Sequence, residues 1–302
     1  MTALLDVSIV IINWNTRDFL LRCIECIYAT KDALNLEVIV VDNASRDDSL
    51  VTLRTHFPQV LVIENDRNVG FARANNQGVR ASRAPHVLLL NSDAFLTAGA
   101  LQAMLDLLIR EPRAALIGAQ LRNTDGSFQA SYTPFPNLWR EFLILSGIGR
   151  AVRGYWYPSR SDDELKGPQI VDYVEGACML VRRDVYLDIG GLDESFFMYA
   201  EEVDLCYRLA RAGWQVWYQP QARVVHVGGG SSQSRRTQRE LDLYRGRLRF
   251  FRRHYGEVPA HLLKLQMIGF TAIKSATHGA ILRLTGGRRG RRVAPLREVV
   301  SL

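Results

Sequence analysis

The stretch YAEEVDLCYRL places three carboxylates, Glu201, Glu202 and Asp204, within four positions at the predicted start of a helix. Acidic side chains in a first helical turn favour the helix dipole, although one residue is enough for a cap. Adjacent carboxylates that follow the aromatic segment ESFFMYA also suit a general base with a raised pKa, beside a second carboxylate that orients a hydroxyl group. The pattern leaves a helix cap, a metal site and a catalytic base as alternatives.

Two further aspartates end predicted strands, which is where ligands bind in open α/β sheets. Asp42, in VIVVDNAS, can bind a nucleotide base or a ribose hydroxyl, or it can close an Asx turn. Asp93, in LLLNSDAF, stands two positions after Asn91, so both can reach one Mg²⁺ or Mn²⁺ ion while a nucleotide diphosphate supplies other ligands. His226 is the last residue but one of ARVVHV; such a histidine is usually structural, and becomes a candidate ligand only if another ligand lies nearby.

Two stretches are suited to binding anions. In ENDRNVGFARANNQG, Arg67 or Arg73 can pair with a phosphate at a helix that starts near Gly70, or the stretch is simply a loop with a capped helix. In VVHVGGGSS, the glycines let the backbone approach an anion closely, and Ser231 and Ser232 can donate hydrogen bonds to phosphate oxygens.

The elements that must position these residues follow an alternating pattern. Short β-branched runs alternate with amphipathic stretches over the first hundred residues, which predicts βα units. The predicted strands are residues 7–13, 36–43, 60–65 and 86–93, and the helices between them are 16–29, 45–57 and 70–83. We therefore expect an α/β fold, a mostly parallel central sheet flanked by helices.

The remainder of the chain is less regular. Residues 122–169 hold four prolines and predict an insertion over one face of the domain. The later predicted elements are helices at about 97–110, from about 200, at 237–255 and at 259–284, and strands at 114–121, 173–183, 214–219 and 222–227. We expect a catalytic domain over residues 1–232, with a nucleotide-binding half at about 1–120 and an acceptor half at about 121–232, followed by C-terminal helices and a disordered TGGRRGRR segment over 233–302.

Composition limits the class of protein. The chain has 302 residues, of which 47% are hydrophobic, as in ordinary globular proteins. Its four cysteines are too few for a disulfide scaffold, so we expect a reducing, cytoplasmic setting, and the pair Cys23 and Cys26 is interpreted as core packing. The sequence shows neither a secretory signal nor an uninterrupted apolar run long enough for a transmembrane helix.

The positive charge belongs to the C-terminal region. The net charge is +7, but residues 235–302 hold 16 Lys and Arg against 4 Asp and Glu, a net charge of +12, which leaves −5 for the rest. Basic amphipathic helices of this kind lie on anionic membrane surfaces. The alternative is that both helices pack on the catalytic domain with a solvated arginine face. Nucleic acid is not expected, because no nucleic-acid-binding fold accompanies the arginines.

Taken in order, the motifs are IINWN, VIVVDNAS, RNVGFARANNQG, LLLNSDA, EGACMLVRRDVYLDIGGLDESFFMYAEEVDLCYRLARAGW and VVHVGGGSS. Together they resemble glycosyltransferase family 2, the inverting enzymes with the GT-A (Rossmann-like nucleotide-diphospho-sugar transferase) fold, and most closely the rhamnosyltransferase-like branch. The resemblance runs from about residue 7 to residue 232.

The resemblance implies sites for a donor, an acceptor and a metal. The nucleotide-sugar site would comprise Asn13, Asn15, Asp42, Asn43, Arg67, Asn68, Gly70, Asn75, Asn91, Ser92 and Asp93. The acceptor side would comprise Glu175, Gly176, Phe197, Ser231 and Ser232. Asp93 matches the last position of the family's D-x-D metal motif, with Asn91 at the first, and His226 matches a histidine that completes the Mg²⁺ or Mn²⁺ site in some members.

The resemblance also implies a reaction. Glu202 falls where the family usually has its catalytic Asp, so it is the expected base; Glu201 is the alternative, and Asp204 flanks them. The implied activity is an inverting transfer of L-rhamnose from dTDP-rhamnose onto a polyprenyl-diphosphate-linked glycan, by an enzyme peripheral to the inner face of the cytoplasmic membrane. The alternatives are a UDP-sugar donor, or a nucleotide-sugar-binding protein with impaired catalysis.

Overall fold

The structure is a computed structural model of the chain. It describes residues 4–31, 33–154, 157–159, 167–228, 236–284 and 294–302, with the backbone alone for 236–237 and 278–284. Two predictions lie outside the described residues, namely the phosphate-binding role of Ser231 and Ser232 and the disorder of the TGGRRGRR segment.

The described residues divide into two compact units. The first takes its residues from 1–135, 159–197 and 201–231, and the second from 136–158, 198–200 and 232–302. Segment 136–158 lies within the stretch predicted as an insertion over the catalytic domain, yet it groups with the C-terminal helices. The physical reason is contact, because Glu141 and Phe142 of this segment pair with Arg247 and Phe270 of those helices.

The first unit begins with parallel strands joined by helices. In chain order these elements are β1 Val7–Asn13, α1 Arg17–Ala29, β2 Leu36–Asp42, α2 Ser49–His56, β3 Leu61–Glu64, α3 Phe71–Ala81 and β4 His86–Asn91. β1 lies between β2 and β4, with Asn13 opposite Asp42 and Ile12 opposite Asn91. The carboxyl ends of these strands therefore lie at one edge of the sheet.

Helices cover both faces of this part of the sheet, which is why β1, β2 and β4 are largely apolar. Ile9 of β1 packs in one buried cluster with Leu20 of α1, whereas Val10 packs in a second cluster with Val79 of α3. Gly78 of α3 faces Val10 so closely that any Cβ at this position would collide with the valine. The close fit fixes α3, and with it the loop that precedes α3, against the sheet.

The sheet continues with strands of both directions. The further elements are β5 Ala94–Leu96, α4 Ala100–Arg110, β6 Ala114–Arg122, β7 Tyr132–Thr133, α5 Leu138–Ser146 and α6 Ile148–Arg153 (both of the second unit), β8 Gln169–Val171, β9 Tyr173–Val174, β10 Cys178–Arg182, α7 Arg183–Asp188, α8 Glu201–Arg211 and β11 Gln215–His226. The sheet order is β3-β2-β1-β4-β10-β6-β11-β5, with β8 paired to β11, and β7 pairs separately with β9. β10 is antiparallel to β4 and β6, and β11 is parallel to β6, so six of the nine strands described for this sheet run in one direction. The predicted α/β fold with a mostly parallel sheet is confirmed.

Two strand predictions in this half are wrong in detail. Residues 173–183 form two short strands, because the chain turns at Glu175, whose N–H donates to the carbonyl of Ser131. Residues 214–219 and 222–227 were expected as separate strands, but β11 runs through both. The irregularity at Pro220, which has no N–H to donate, is absorbed as a register shift between Gln219 and Arg223 rather than as a break.

The second unit consists of helices. It contains α5, α6, α9 Arg236–Tyr255, α10 Glu257–Leu284 and α11 Leu296–Val300. At its centre the buried carboxylate of Glu141 accepts a hydrogen bond from Nη1 of Arg247 at 3.0 Å, and burial raises the pKa of Glu141. None of the helices in the described part of the chain is both long and apolar enough to cross a membrane.

The apolar face of α9 is inside this unit. Its large side chains are almost fully buried: Leu241, Tyr244, Leu248, Phe250 and Phe251. The sequence allowed this face to contact a membrane or to pack against protein, and for α9 it packs against protein. Any apolar surface that the second unit offers to a partner must therefore come from other helices.

Candidate active site

The side chains of Asp93 and His226 lie next to each other. β5 pairs with β11 so that Ala94 stands opposite His226, and the N–H of Val227 donates to the carbonyl of Asp93. This backbone register brings Nε2 of His226 to 3.4 Å from Oδ1 of Asp93. A second candidate ligand therefore lies beside His226, which is the condition under which the sequence made this histidine a metal candidate.

Gln129 fixes the orientation of the His226 ring. Its Oε1 lies 2.6 Å from Nδ1 of His226, while its Nε2 donates to the side-chain Oδ1 of Asn123 at 2.9 Å and to the backbone carbonyl of His226 at 3.2 Å. Because these two acceptors fix the amide, Oε1 faces the ring, and Nδ1 must carry a proton. Nε2 is then the nitrogen available beside Asp93, which is the arrangement found around metal-ligating histidines.

Asn91, the last residue of β4 and two positions before Asp93, carries a further polar atom. Its N–H donates to the carbonyl of Ala177, but its side-chain Oδ1 is buried and has no hydrogen-bond partner. A buried acceptor without a partner is costly unless something else binds it. The described residues contain no group of three or more His, Cys, Asp and Glu that could hold a metal, so Asp93, His226 and Asn91 fit a divalent ion only together with ligands from a substrate.

Asp42 is the centre of a buried hydrogen-bond network. Its Oδ1 accepts from Nδ2 of Asn13 at 2.7 Å, and its Oδ2 accepts from the N–H of Ser45 at 2.9 Å, so the side chain binds the backbone three residues on rather than two, as an Asx turn would. The hydroxyl of Thr16 donates to Oδ1 of Asn13 and therefore accepts from Ser92, each at 2.8 Å. This chain of bonds connects the end of β2 to the residue that precedes Asp93.

Asn15 and Asn43 shape the loops around this network. Asn15 has a left-handed φ of 53°, and its Oδ1 accepts from the N–H of Arg46 at 2.7 Å. Asn43 donates through Nδ2 to the carbonyl of Gly70 at 3.3 Å and accepts from Nδ2 of Asn65 at 3.0 Å. Both asparagines therefore bind loop backbone, and Asn43 connects the loop after β2 to the loop before α3.

The loop before α3 is held against Phe197, which is predicted to belong to the acceptor side. Oδ1 of Asn68 accepts the N–H of Gly70, and the carbonyl of Phe197 accepts the N–H of Phe71 at 2.8 Å. Gly70 has a φ of 89°, and a Cβ there would lie 2.7 Å from the carbonyl oxygen of Phe197. These first N–H groups of α3 are thus already bonded to protein. Arg67 is exposed and forms no ion pair with any described residue.

Two polar residues of α3 have structural partners. Asn75 is buried and donates through Nδ2 to the carbonyl of Phe71, one turn earlier in the same helix, at 3.0 Å. Arg73, the alternative phosphate partner, forms an ion pair with Glu194 at 2.8 Å. Arg67 is the arginine of this stretch whose charge remains available to an anion.

Glu201 is a buried carboxyl group. It is 4% exposed, its Oε2 has no hydrogen-bond partner, and burial raises its pKa to about 7. The chain enters α8 through Tyr199 and Ala200, both with a φ of 72°, a conformation that residues with a side chain rarely adopt. Such strain often accompanies functional positions.

Glu202 occupies a different environment from its neighbour. Its side chain is half-buried and lies against Gly176, where a Cβ would be 3.6 to 3.9 Å from Cβ, Cγ and Cδ of the glutamate. Gly176 is in the turn between Glu175 and Ala177, and the carbonyl of Ala177 accepts the N–H of Asn91. The Glu202 carboxylate is thus connected through this turn to the strand end that carries Asp93.

The carboxylate of Asp204 is used within the protein, by Arg208. It is fully buried, and its Oδ2 accepts from Nε of Arg208 at 2.7 Å. Arg208 in turn donates to the carbonyls of Ile189 and Gly191 at 2.7 and 2.6 Å. Asp204 therefore holds the arginine that fixes the Gly-Gly turn before the aromatic segment, and its carboxylate is not presented to a ligand.

Three residues of these networks escaped the sequence analysis: Thr16, Ser45 and Gln129. Thr16 and Ser45 stand where helix caps and turns are common, so their types carried no separate signal. Gln129 follows the hairpin signal TDGS, and Arg122 pairs with Phe128 across this turn. The hairpin was predictable, but the contact of Gln129 with His226 was not.

Comparison with known proteins identifies relatives over most of the chain. The family model described as "Glycosyl transferase family 2" matches residues 8–190, more than half of the chain. The N-acetylglucosaminyl-diphospho-decaprenol L-rhamnosyltransferase of Mycobacterium tuberculosis is 32% identical over 209 residues, covering 63% of this chain and 66% of that protein, just under two thirds. Rhamnosyltransferase WbbL of Escherichia coli K12 is 26% identical over 238 residues, covering 76% of this chain and 86% of that protein.

Solved structures share the fold at low sequence identity. The mannosyltransferase PcManGT from Pyrobaculum calidifontis, in complex with GDP-Man and Mn²⁺, has a TM-score of 0.58 at 18% identity, covering 94% of this chain and 80% of that one. GalNAc-T7 with UDP, GalNAc and Mn²⁺ has a TM-score of 0.58 at 14% identity, covering 75% of this chain and 44% of that one. At such identities the likeness concerns the fold.

Proposed function

Since this chain belongs to glycosyl transferase family 2, we propose that it catalyses an inverting, divalent-metal-dependent transfer of a sugar from a nucleotide diphosphate to an acceptor hydroxyl. The observation that carries the proposal is one hydrogen-bonded path. It runs from Asp42 through Asn13 and Thr16 to Ser92, directly before the Asp93 carboxylate that faces His226. A candidate nucleotide site and a candidate metal site are thereby held in fixed register.

On the donor side, the chain's own residues would bind the nucleotide sugar and orient it. Asp42 and Asn13 would contact the base or the ribose, and the exposed guanidinium of Arg67 would approach the diphosphate. Asp93, His226 and the unpartnered Oδ1 of Asn91 would hold Mg²⁺ or Mn²⁺. The bound ion would neutralise the charge that develops on the departing diphosphate.

On the acceptor side, Glu202 is the proposed base. Its half-buried carboxylate borders Gly176, whose missing side chain leaves room beside it, whereas Glu201 is enclosed. Glu202 would remove the proton from the acceptor hydroxyl, whose oxygen attacks the anomeric carbon on the face opposite the nucleotide. Glu175 and the exposed ring of Phe197 would border the acceptor.

For the substrates, we propose L-rhamnose from dTDP-rhamnose and a glycan linked to a polyprenyl diphosphate. Support comes from two relatives, both rhamnosyltransferases by name, one of them named for a decaprenol-diphosphate acceptor. The same acceptor would place the enzyme at the inner face of the cytoplasmic membrane. A UDP-sugar donor and a binding protein with impaired catalysis are the alternatives that the test must separate.

A donor panel tests the proposal. The full chain is incubated with dTDP-rhamnose, UDP-glucose, UDP-N-acetylglucosamine or GDP-mannose, with Mn²⁺ or EDTA, and with or without a polyprenyl-diphosphate-linked N-acetylglucosamine. We expect Mn²⁺-dependent transfer from dTDP-rhamnose and larger thermal stabilisation by dTDP than by UDP. Transfer from a UDP-sugar but not from dTDP-rhamnose would identify the UDP-sugar as the donor. Nucleotide binding without hydrolysis or transfer of any donor would establish the binding protein instead.

A further inference from the structure

The outer face of α10 carries a row of exposed apolar side chains. Val258, Leu262, Leu265 and Ile273 are 72%, 46%, 64% and 58% exposed. Their spacing, with Gly269 between the last two, places them on one side of the helix. A contiguous apolar surface of this kind usually marks a site of contact with protein or membrane.

The inner face of α10 is fully used within the second unit. Ala260, Leu263, Met267 and Thr271 are buried. A helix that is apolar on its inner and outer sides is typical of a buried or membrane-contacting helix rather than of one that faces water. Because the inner side holds α10 in place, what remains for a partner is the outer row.

An exposed tryptophan lies on α5, a helix that packs against α10. Trp139 of α5 is 64% exposed and stacks on Phe142 at 5.4 Å, and Phe142 contacts the ring of Phe270 of α10 at 5.5 Å. Nε2 of Gln266 also donates to the carbonyl of Leu138, so α5 is joined to α10 at this point. Tryptophan is favoured at the boundary between lipid headgroups and acyl chains.

The positive charge of residues 235–302 favours an anionic partner for this surface. Residues 235–302 have a net charge of +12, so two copies brought together by the row would repel each other. By helical spacing Lys264 and Lys274 lie on the inner side of α10, so the attraction to anionic headgroups would come from the net positive charge of the C-terminal segment as a whole. We propose that Trp139 and the outer row of α10 dock on an anionic lipid bilayer, with α10 parallel to its plane. The inference deepens the proposed function, since a lipid-linked acceptor would be met at that surface.

Vesicle sedimentation tests this docking surface without using the reaction. The full chain is mixed with vesicles of phosphatidylcholine, or of phosphatidylcholine with phosphatidylglycerol. We expect binding to the mixed vesicles that weakens with salt and that falls about tenfold or more in Leu265→Glu/Ile273→Glu. The matched control is Val51→Glu/Ile109→Glu, which changes two apolar residues of the first unit that are 68% and 59% exposed and alters the net charge equally.

Each outcome decides the proposal. Loss of vesicle binding in the row variant but not in the control, with thermal unfolding unchanged in both, supports it. The proposal would be overturned if the wild-type protein did not bind the mixed vesicles, or if the row variant and the control bound them equally. It would also be overturned if the wild-type protein were a dimer without vesicle binding and the row variant were a monomer. Donor hydrolysis in vesicle-free solution is measured in parallel, so that a failure of the enzymatic proposal is recognised separately.

Discussion

Nε2 of His226 lies 3.4 Å from Oδ1 of Asp93, and the two side chains are only 15% and 10% exposed. The antiparallel pairing of β5 and β11 produces this approach, so it is a property of the backbone register. A histidine and a carboxylate, with the unpartnered buried amide oxygen of Asn91 two positions before the carboxylate in the chain, suit a divalent ion that also binds a diphosphate.

Replacing Gln129 should weaken metal binding without unfolding the protein. In Gln129→Leu the Nδ1–H of His226 loses its acceptor, so the ring no longer presents Nε2 to Asp93 in a fixed orientation. We expect Mn²⁺ affinity in the presence of dTDP to fall by about 10- to 100-fold, measured by electron paramagnetic resonance of free Mn²⁺. Gln102→Leu, which removes a surface pair with Asp106 on α4, is the matched control. Equal affinities for the two variants would contradict the role of Gln129.

Gly70→Ala should damage both stability and donor binding. The residue has φ 89° and ψ 170°, and its Cβ would lie 2.7 Å from the carbonyl oxygen of Phe197. Gly154 has nearly the same conformation, φ 94° and ψ 163°, but a Cβ there meets nothing within 4 Å. Gly154→Ala should therefore cost the backbone strain of about 1 to 3 kcal/mol, and Gly70→Ala roughly 1 to 3 kcal/mol more.

Urea unfolding measures this difference, and the KM for the donor provides the functional readout. Of the two variants, only Gly70→Ala should raise the KM, because Gly70 accepts a hydrogen bond from Asn43 in the loop after β2 and packs against Phe197, whereas Gly154 has neither contact. Equal losses of stability in the two variants would show that the contact with Phe197 contributes nothing.

Glu201→Gln should stabilise the protein progressively as the pH rises. Burial raises the pKa of Glu201 from 4.5 to about 7, so the folded protein binds this proton more tightly than the unfolded chain does. The stability that the group contributes is complete below about pH 4.5 and is lost as the pH rises to about 7, up to roughly 3 kcal/mol. The variant should therefore match wild type near pH 4.5 and unfold at a higher temperature at pH 8.

The control for this experiment is Glu25→Gln, which changes an exposed glutamate of α1. Its difference from wild type should be small and should not grow with pH. A Glu201→Gln curve parallel to wild type across the whole range would mean that the carboxyl group ionises freely in the folded protein.

The pair of Glu141 and Arg247 should behave as a buried ion pair. Arg247→Met leaves a carboxylate with 2% side-chain exposure without its cation, and we expect a loss of about 3 to 5 kcal/mol in urea unfolding. Replacing both residues, as in Glu141→Leu/Arg247→Met, should recover most of that loss because neither charge then remains buried alone. A double variant as unstable as the single one would show that the arginine acts through other contacts.

Sequence patterns predicted the parts of the fold that repeat. The alternation of β-branched and amphipathic runs located β1 to β4 and α1 to α3, and the shared edge of parallel strands brought Asp42 and Asp93 to one place. Strand direction was harder to predict, because the apolar composition of β10 is compatible with parallel and with antiparallel pairing. The continuity of β11 through Pro220 depends on a register shift, which could not be predicted from the residue types there.

The candidate site was predictable where a residue type is rare at its position. Asp42, Asp93 and the carboxylates of α8 stand out after apolar stretches, and His226 gained meaning once Asp93 was found beside it. Gln129, by contrast, is a common polar residue whose role depends on how a hairpin returns to β11. Asn75 shows why position alone is a weak guide, because a polar side chain near a binding loop can donate to the backbone of its own helix, as its Nδ2 does to Phe71.

The most direct test of the central claim compares Glu202→Gln, Glu202→Asp and Glu201→Gln in the transfer reaction. The account predicts that Glu202→Gln lowers the rate of transfer by about 10²- to 10⁴-fold while Mn²⁺-dependent binding of the nucleotide is unchanged. Glu202→Asp, which restores the family's usual residue, should keep most of the activity, and Glu201→Gln should lose less than Glu202→Gln. A Glu202→Gln enzyme that transfers sugar at nearly the wild-type rate, or a larger loss in Glu201→Gln, would contradict the assignment of Glu202 as the base.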